Sequence, residues 1–116
     1  MRTHKDLEIW QKGIELVEKI YKLTSSFPKE EIYGIISQMR RAAISYPSNI
    51  AEGAARFSRK EFIQFMYIAL GTLSELETQV IISLRLGYYS DENLLGEIEL
   101  LRRMTLNFIK YLKRSK

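Results

Sequence analysis

The sequence has no cysteine, one histidine, one tryptophan and two prolines among its 116 residues. Without cysteine, the chain forms no disulfide framework and offers no thiolate ligand to a metal. His4 is the single histidine, so histidine-cluster metal sites are excluded and a Ser-His-Asp triad is disfavoured. A phosphate-binding glycine loop, a dinucleotide fingerprint and a nucleophile elbow are missing too. The sequence therefore predicts neither an enzyme nor a cofactor.

Long apolar runs are also missing. No segment approaches the ~20 residues of a membrane span, and the first ten residues lack the apolar region of a signal peptide. We therefore expect a cytoplasmic protein with no membrane partner. Hydrophobic residues still make up 46% of the chain, which is enough to fold. A chain of this length accommodates one domain, spanning 1–116.

Acidic residues are missing from the last part of the chain. Glu99 is the final acid, and the bases that follow it are Arg102, Arg103, Lys110, Lys113, Arg114 and Lys116. A basic end on a near-neutral body favours binding to a polyanion. Cations also stabilise the C-terminal end of a helix and keep a terminus soluble. Composition leaves both interpretations open.

Apolar residues recur at intervals of three and four, which predicts helices, and no alternating pattern indicates a strand. The predicted helices are residues 6–25, 32–57, 59–86 and a last helix beginning at about residue 91. The expected caps are Asp6 for the first helix, Ser58 in a capping box for the third, and Ser90 or Asp91 for the fourth. Gly87 is expected to end the third helix. Short links between four helices predict an all-α, antiparallel, up-down-up-down four-helix bundle.

The second predicted helix contains Pro47 in its middle. A proline there cannot donate to the carbonyl of Ala43 and crowds that turn, at a cost of ~3 kcal/mol. The apolar pattern, which includes Tyr46, continues on both sides without a shift. This predicts one helix kinked at Pro47 rather than two helices.

A polar stripe runs beside that apolar face and comprises Arg41, Ser45, Ser48, Asn49, Glu52 and Arg56. It is either a solvated face or a network at an interface or in the bundle interior. In the second case Asn49 and Glu52 would pair with Arg41 or Arg56, because buried polar groups need hydrogen-bond partners. We therefore mark Tyr46, Pro47, Asn49 and Glu52 as structural or interface residues.

The first and third helices carry more apolar surface than one core face requires. In the first helix a second stripe contains Trp10, Ile14 and Tyr21. This surplus predicts a homo-oligomer, because apolar patches of that extent are unusual on a monomer. Trp10 is either an anchor of a subunit contact or a large core residue. Gly71 in the third helix is expected to permit the close approach of another helix.

Ten bases are candidates for contact with nucleic acid, RNA above all. They are Arg40, Arg41, Arg56, Arg59, Lys60, Arg102, Arg103, Lys110, Lys113 and Arg114. No aromatic-rich strand surface or recognition helix accompanies them, so contacts should go to phosphates without sequence specificity. The alternative is a protein–protein interaction module with no nucleic-acid ligand, whose bases serve solubility.

Four stretches carry a resemblance to a known family. They are DLEIWQK (6–12), FPKEEIYG (27–34), QMRRAAISYPSNIAEG (38–53) and the run 58–79. Together they resemble the four-helix bundle proteins encoded in intervening sequences of bacterial 23S rRNA genes, often labelled S23 ribosomal protein. The accessory variability protein of diversity-generating retroelements is a relative with the same bundle.

The resemblance implies an antiparallel four-helix bundle that assembles into a ring-like homopentamer. It also implies association with nucleic acid, since the retroelement relative binds RNA and a reverse transcriptase, which makes a protein partner a further expectation. The family supplies no catalytic residues to carry over.

Overall fold

Four long helices form the computed structural model, which describes residues 3–91 and 93–114. They are α1 (Glu8–Thr24), α2 (Ile35–Ala54), α3 (Arg59–Arg85) and α4 (Asn93–Arg114), with short 3-10 helices at His4–Asp6 and Lys29–Glu31. Each helix packs against the next one in the chain, and α1 and α4 make a sparser contact that closes the bundle. Short links between packed neighbours make consecutive helices antiparallel. The four-helix bundle predicted from the sequence is thus confirmed, with overall dimensions of 49 × 23 × 19 Å.

The first helix begins later than predicted, at Glu8. Asp6 does not cap it. The Oδ2 atom of Asp6 instead accepts a hydrogen bond from the amide of Thr3 at 3.3 Å, and the Thr3 hydroxyl accepts from the amide of Lys5 at 3.1 Å. Asp6 therefore belongs to the capping box of the preceding 3-10 helix.

Helix α3 spans Arg59–Arg85 and has its N-cap at Ser58 as predicted, but the Glu61 carboxylate pairs with Arg56 instead of completing the predicted capping box. The Ser58 hydroxyl accepts from the amide of Glu61 at 3.2 Å, which satisfies one free donor of the first turn. At the other end Gly87 has φ +76°, a backbone conformation that glycine adopts at little cost. The amides of Gly87 and Tyr88 donate to the carbonyls of Leu84 and Ser83, each at 3.0 Å, and complete a Schellman motif.

Helix α4 follows a turn in which Asp91 Oδ1 accepts from the amide of Asn93 at 2.9 Å. Of the two predicted caps, Asp91 is therefore the residue whose side chain bonds to the start of the helix.

Helix α2 passes through the buried Pro47 as a single helix, as the unbroken apolar pattern predicted. It is shorter than predicted, because Ile32 and Phe57 lie outside it and are exposed. Next to the proline, the Asn49 side-chain amide donates to the carbonyl of Ser45 at 2.8 Å. This bond gives a polar partner to the backbone in the turn that the proline disturbs.

One apolar core runs between the four helices. Tyr46 is fully buried in it, so within this chain it is a core residue and not a surface for a partner. Its hydroxyl lies 2.7 Å from the hydroxyl of Thr105 on α4. Trp10 is half-buried, packs against the core and meets His4 edge to face at 5.2 Å.

Two glycines set the distance between neighbouring helices. A Cβ on Gly13 would lie 2.8 Å from the Tyr46 ring, and one on Gly53 would lie 2.7 Å from Phe65 Cβ. Glycine therefore lets α2 approach both α1 and α3 closely. Gly71 does not have that role within the chain, because no atom lies within 4 Å of its Cβ position.

Part of the apolar surface stays outside the core, as the surplus in the sequence predicted. One patch, the α1–α2 surface, consists of Tyr21, Ile32, Tyr33 and Ile44, which line a groove of about 520 Å³. A second surface, the α3 surface, is one face of α3, on which the exposed side chains of Ile68 and Ile82 lie about four turns apart. None of the helices in residues 3–91 and 93–114 combines the length and apolarity needed to cross a membrane.

Candidate nucleic-acid interface

The antiparallel order brings the start of α1, the α2–α3 link and the end of α4 to the same end of the bundle. Residues 3–8, 52–61 and 107–114 carry seven bases and four acids there. The opposite end, formed by residues 20–36 and 80–91, carries three of each. We call the first of these the basic end. Its candidate residues from the sequence are Arg56, Arg59, Lys60, Lys110, Lys113 and Arg114.

A crevice of about 360 Å³ opens at the basic end between the α2–α3 link and the end of α4. Arg56 and Arg59 line one side of it, and Tyr111 lines the other. Its floor is apolar, because Phe62 packs edge to face on Phe108 at 5.5 Å. Phe108 in turn stacks on Tyr111 at 5.9 Å. A row of aromatic rings thus leads from the core to the exposed surface.

Most bases of the basic end have no acidic partner. Arg59, Lys60, Lys110 and Arg114 are exposed, and none of them forms an ion pair with an acid in the described part of the chain. Exposed, unpaired cations are available to phosphate groups and make the potential at this end positive.

Two other bases of the basic end have contacts within the chain. Arg56 pairs with Glu52 at 3.3 Å and with Glu61 at 3.4 Å. Lys113 donates to the hydroxyl of Tyr67 at 2.7 Å. These exposed contacts contribute little stability, so they would not prevent either side chain from contacting an anionic ligand.

Arg40 lies away from the basic end, where it forms hydrogen bonds to the C-terminal turn of α1. Its Nε donates to the Thr24 hydroxyl at 2.9 Å, and its Nη2 donates to the carbonyl of Tyr21 at 3.3 Å. Its guanidinium also lies 4.4 Å from the centroid of the Tyr21 ring. These bonds satisfy the C-terminal turn of α1, so we leave Arg40 out of the candidate interface.

Arg102 and Arg103 lie midway along α4, where both face the same acid. Arg102 forms two hydrogen bonds to Glu99, at 2.9 and 2.8 Å, and Arg103 lies 3.9 Å from the same carboxylate. The hydrogen bonds from Arg102 hold the pKa of Glu99 below its usual value. The carboxylate of Glu99 therefore partly neutralises the positive charges of Arg102 and Arg103. Arg41 is exposed but lies on α2, outside the basic end.

The polar stripe of α2 is divided between two environments. Asn49 is half-buried and bonds within its own helix, whereas Glu52 is exposed and pairs with Arg56 rather than with Arg41. Glu52 was expected at an interface or in the bundle interior, and its exposure leaves only the interface, while Arg56 is one of its two expected partners. A role for Asn49 and Glu52 between subunits stays a prediction.

One residue of the basic end was missed by reasoning from the sequence. Phe57 is the last residue of the second predicted helix, 32–57, yet it lies outside α2 and is fully exposed. The available signal was its position directly before the cap Ser58, since a residue before the cap lies outside the following helix.

The model of the 23S rRNA-intervening sequence protein family matches residues 5–107. The chain belongs to this family. A solved structure of a protein of unknown function from the S23 ribosomal protein family of Bacteroides thetaiotaomicron has the same fold, with a TM-score of 0.78 at 23% identity. The match covers 88% of this chain and 98% of that one. A search of curated proteins found no match. Neither the family nor the fold indicates an enzyme class.

Proposed function

We propose that this protein is a non-enzymatic, oligomeric bundle that binds nucleic acid, RNA above all, through its basic end. The observation that carries the proposal is the convergence of exposed, unpaired bases from α3 and α4 on that end. Binding is directed to phosphates and is not specific for sequence, since no strand surface or recognition helix accompanies the bases.

Oligomerisation strengthens such binding. The α1–α2 surface and the α3 surface are different, and contact between unlike surfaces generates a ring when the rotation between subunits closes. A ring presents one basic end per subunit, so weak phosphate contacts add through avidity. The family resemblance favours five subunits.

A salt titration with a labelled RNA hairpin tests the proposal. The variant Lys60→Glu, Lys110→Glu, Arg114→Glu reverses three unpaired charges of the basic end. The matched control, Lys22→Glu, Lys29→Glu, Arg85→Glu, reverses three exposed charges of the opposite end. We expect the first variant to lose at least about tenfold in affinity at low salt, with a log–log salt slope that is shallower by roughly 0.7–0.9 per lost contact. The control should stay close to the wild type.

Two results would count against this function. If the basic-end variant keeps the affinity and salt slope of the wild type, another surface binds the RNA. If the wild type binds no nucleic acid even at low salt, the protein is an interaction module for another protein. The α1–α2 surface favours that second candidate, because its groove is mainly apolar, although Arg40 and Arg41 also line it, and it lies away from the basic end.

A further inference from the structure

Phe57 has the most exposed large apolar side chain in the described part of the chain. An apolar residue directly before a helix cap ordinarily packs on the fourth residue of the helix, which here is Phe62. Phe62 packs on Phe108 instead. The Phe57 ring therefore faces solvent from the α2–α3 link. No contact within the described residues buries this apolar surface and stabilises the fold.

The surroundings of Phe57 are cationic. Arg56 lies on one side of it in the chain, and Arg59 and Lys60 follow the cap on the other. Arg59 and Lys60 have no acidic partner in the described residues. An exposed aromatic ring among unpaired cations suits a ligand that carries both a flat apolar group and negative charge.

Tyr111 provides a second ring on the same end of the bundle. It is 58% exposed and lines the mouth of the crevice opposite Arg56 and Arg59. The ring behind it, Phe108, holds it by stacking. Two aromatic surfaces therefore lie on the cationic end of the subunit.

From this arrangement we infer that the basic end binds single-stranded nucleic acid, with an unpaired base stacked on Phe57. Arg59, Lys60 and Arg114 contact the phosphates, and Tyr111 offers a stacking surface to another base. Paired bases are stacked on each other, whereas single-stranded bases are free to stack on aromatic side chains. The inference rests on the proposed function and names its substrate class.

The test compares Phe57→Ala with two matched variants. Phe57→Tyr keeps an aromatic ring at the same position, and Tyr33→Ala removes a ring that is 94% exposed at the opposite end of the bundle. The probes are a labelled oligouridylate of about 16 nucleotides and an RNA duplex of equal length. A 2-aminopurine base within the oligouridylate reports stacking through the quenching of its fluorescence.

We expect Phe57→Ala to weaken binding of the single strand about 5- to 100-fold and to reduce the quenching, since only Tyr111 is left to stack on a base. The salt slope should not change, because no charge is removed. Phe57→Tyr should restore both readouts, Tyr33→Ala should leave them unchanged, and binding of the duplex should be insensitive to all three variants.

The possible failures are distinguishable. If the wild type binds neither probe at low salt, the proposed function itself is wrong. If the wild type binds with the expected salt dependence and Phe57→Ala binds the single strand equally well, only the inference is wrong. If Phe57→Ala changes the oligomeric size, Phe57 is a contact between subunits, which also overturns the inference.

Discussion

The hydroxyl of Tyr46 on α2 donates a hydrogen bond to the hydroxyl of Thr105 on α4, with 2.7 Å between the two oxygens. The direction follows from Thr105, whose own proton goes to the carbonyl of Leu101 at 2.7 Å. Both side chains are fully buried. This bond links diagonally opposite helices across the core, where water cannot replace either partner.

Tyr46→Phe should therefore lower the free energy of unfolding by about 0.5–1.5 kcal/mol at neutral pH, the net contribution of one hydrogen bond. Burial also raises the pKa of Tyr46. A pKa that is higher in the folded than in the unfolded state gives stability that is complete below the unfolded value of about 10 and is lost above it. The difference in unfolding free energy between the wild type and Tyr46→Phe should therefore shrink as the pH rises past about 10. Urea unfolding at several pH values measures this, and a constant deficit would contradict it.

Substitution by alanine should lower the stability at the closely packed Gly53 and raise it at the open position of Gly71. Gly53→Ala places a Cβ 2.7 Å from Phe65 Cβ and 3.0 Å from the Phe62 ring. Helices α2 and α3 must separate to accommodate it, at about 1–3 kcal/mol. Gly71→Ala meets no atom within 4 Å and gains helix propensity, which should add up to about 1 kcal/mol of stability. The melting temperatures of the two variants measure this difference. A higher melting temperature for Gly53→Ala would contradict the close packing of α2 on α3 at Gly53.

The periodicity of apolar residues was enough to predict the four helices, though not where α1 begins or how far α2 extends, because burial of one helix face leaves a regular pattern in the sequence. The end of α3 at Gly87 was also predictable, because few residues other than glycine adopt the backbone conformation that follows the last turn of a helix. The pairing of Arg40 with Thr24 was not predictable, because it depends on how two helices meet. The exposure of Phe57 escaped detection because apolar spacing alone does not show where a helix stops.

Arg40 tests the distinction between a structural and a ligand-binding base. Arg40→Met keeps most of the side chain's apolar length but removes the donors to Thr24 and to the carbonyl of Tyr21. We expect a loss of about 1–3 kcal/mol in unfolding free energy, since the bonds come from a charged group to a partly buried site. The RNA affinity and salt slope of the folded protein should not change. The neighbouring Arg41→Met, at an exposed position, should stay within about 0.5 kcal/mol of the wild type.

A mixing experiment tests the subunit contact. Ile44 belongs to the α1–α2 surface and Ile68 to the α3 surface, and both side chains are exposed. A glutamate at either position should leave the fold intact and dissociate the oligomer, because the charge would lose its water in the contact. If the contact joins unlike surfaces, Ile44→Glu and Ile68→Glu subunits each retain the surface that the other has lost. The two variants should then be monomers separately and form a dimer, but no ring, when mixed.

Light scattering during size-exclusion chromatography measures the mass of each sample. Leu100→Glu is the control, because Leu100 is an exposed apolar residue of α4 outside both surfaces, and it should keep the wild-type mass. Variants that already form dimers before mixing would indicate that like surfaces pair with each other, and monomers that stay monomers after mixing would contradict a contact between the two unlike surfaces. A wild type that is monomeric at micromolar concentration would refute oligomerisation altogether, and the apolar surfaces would then be left for a different protein partner.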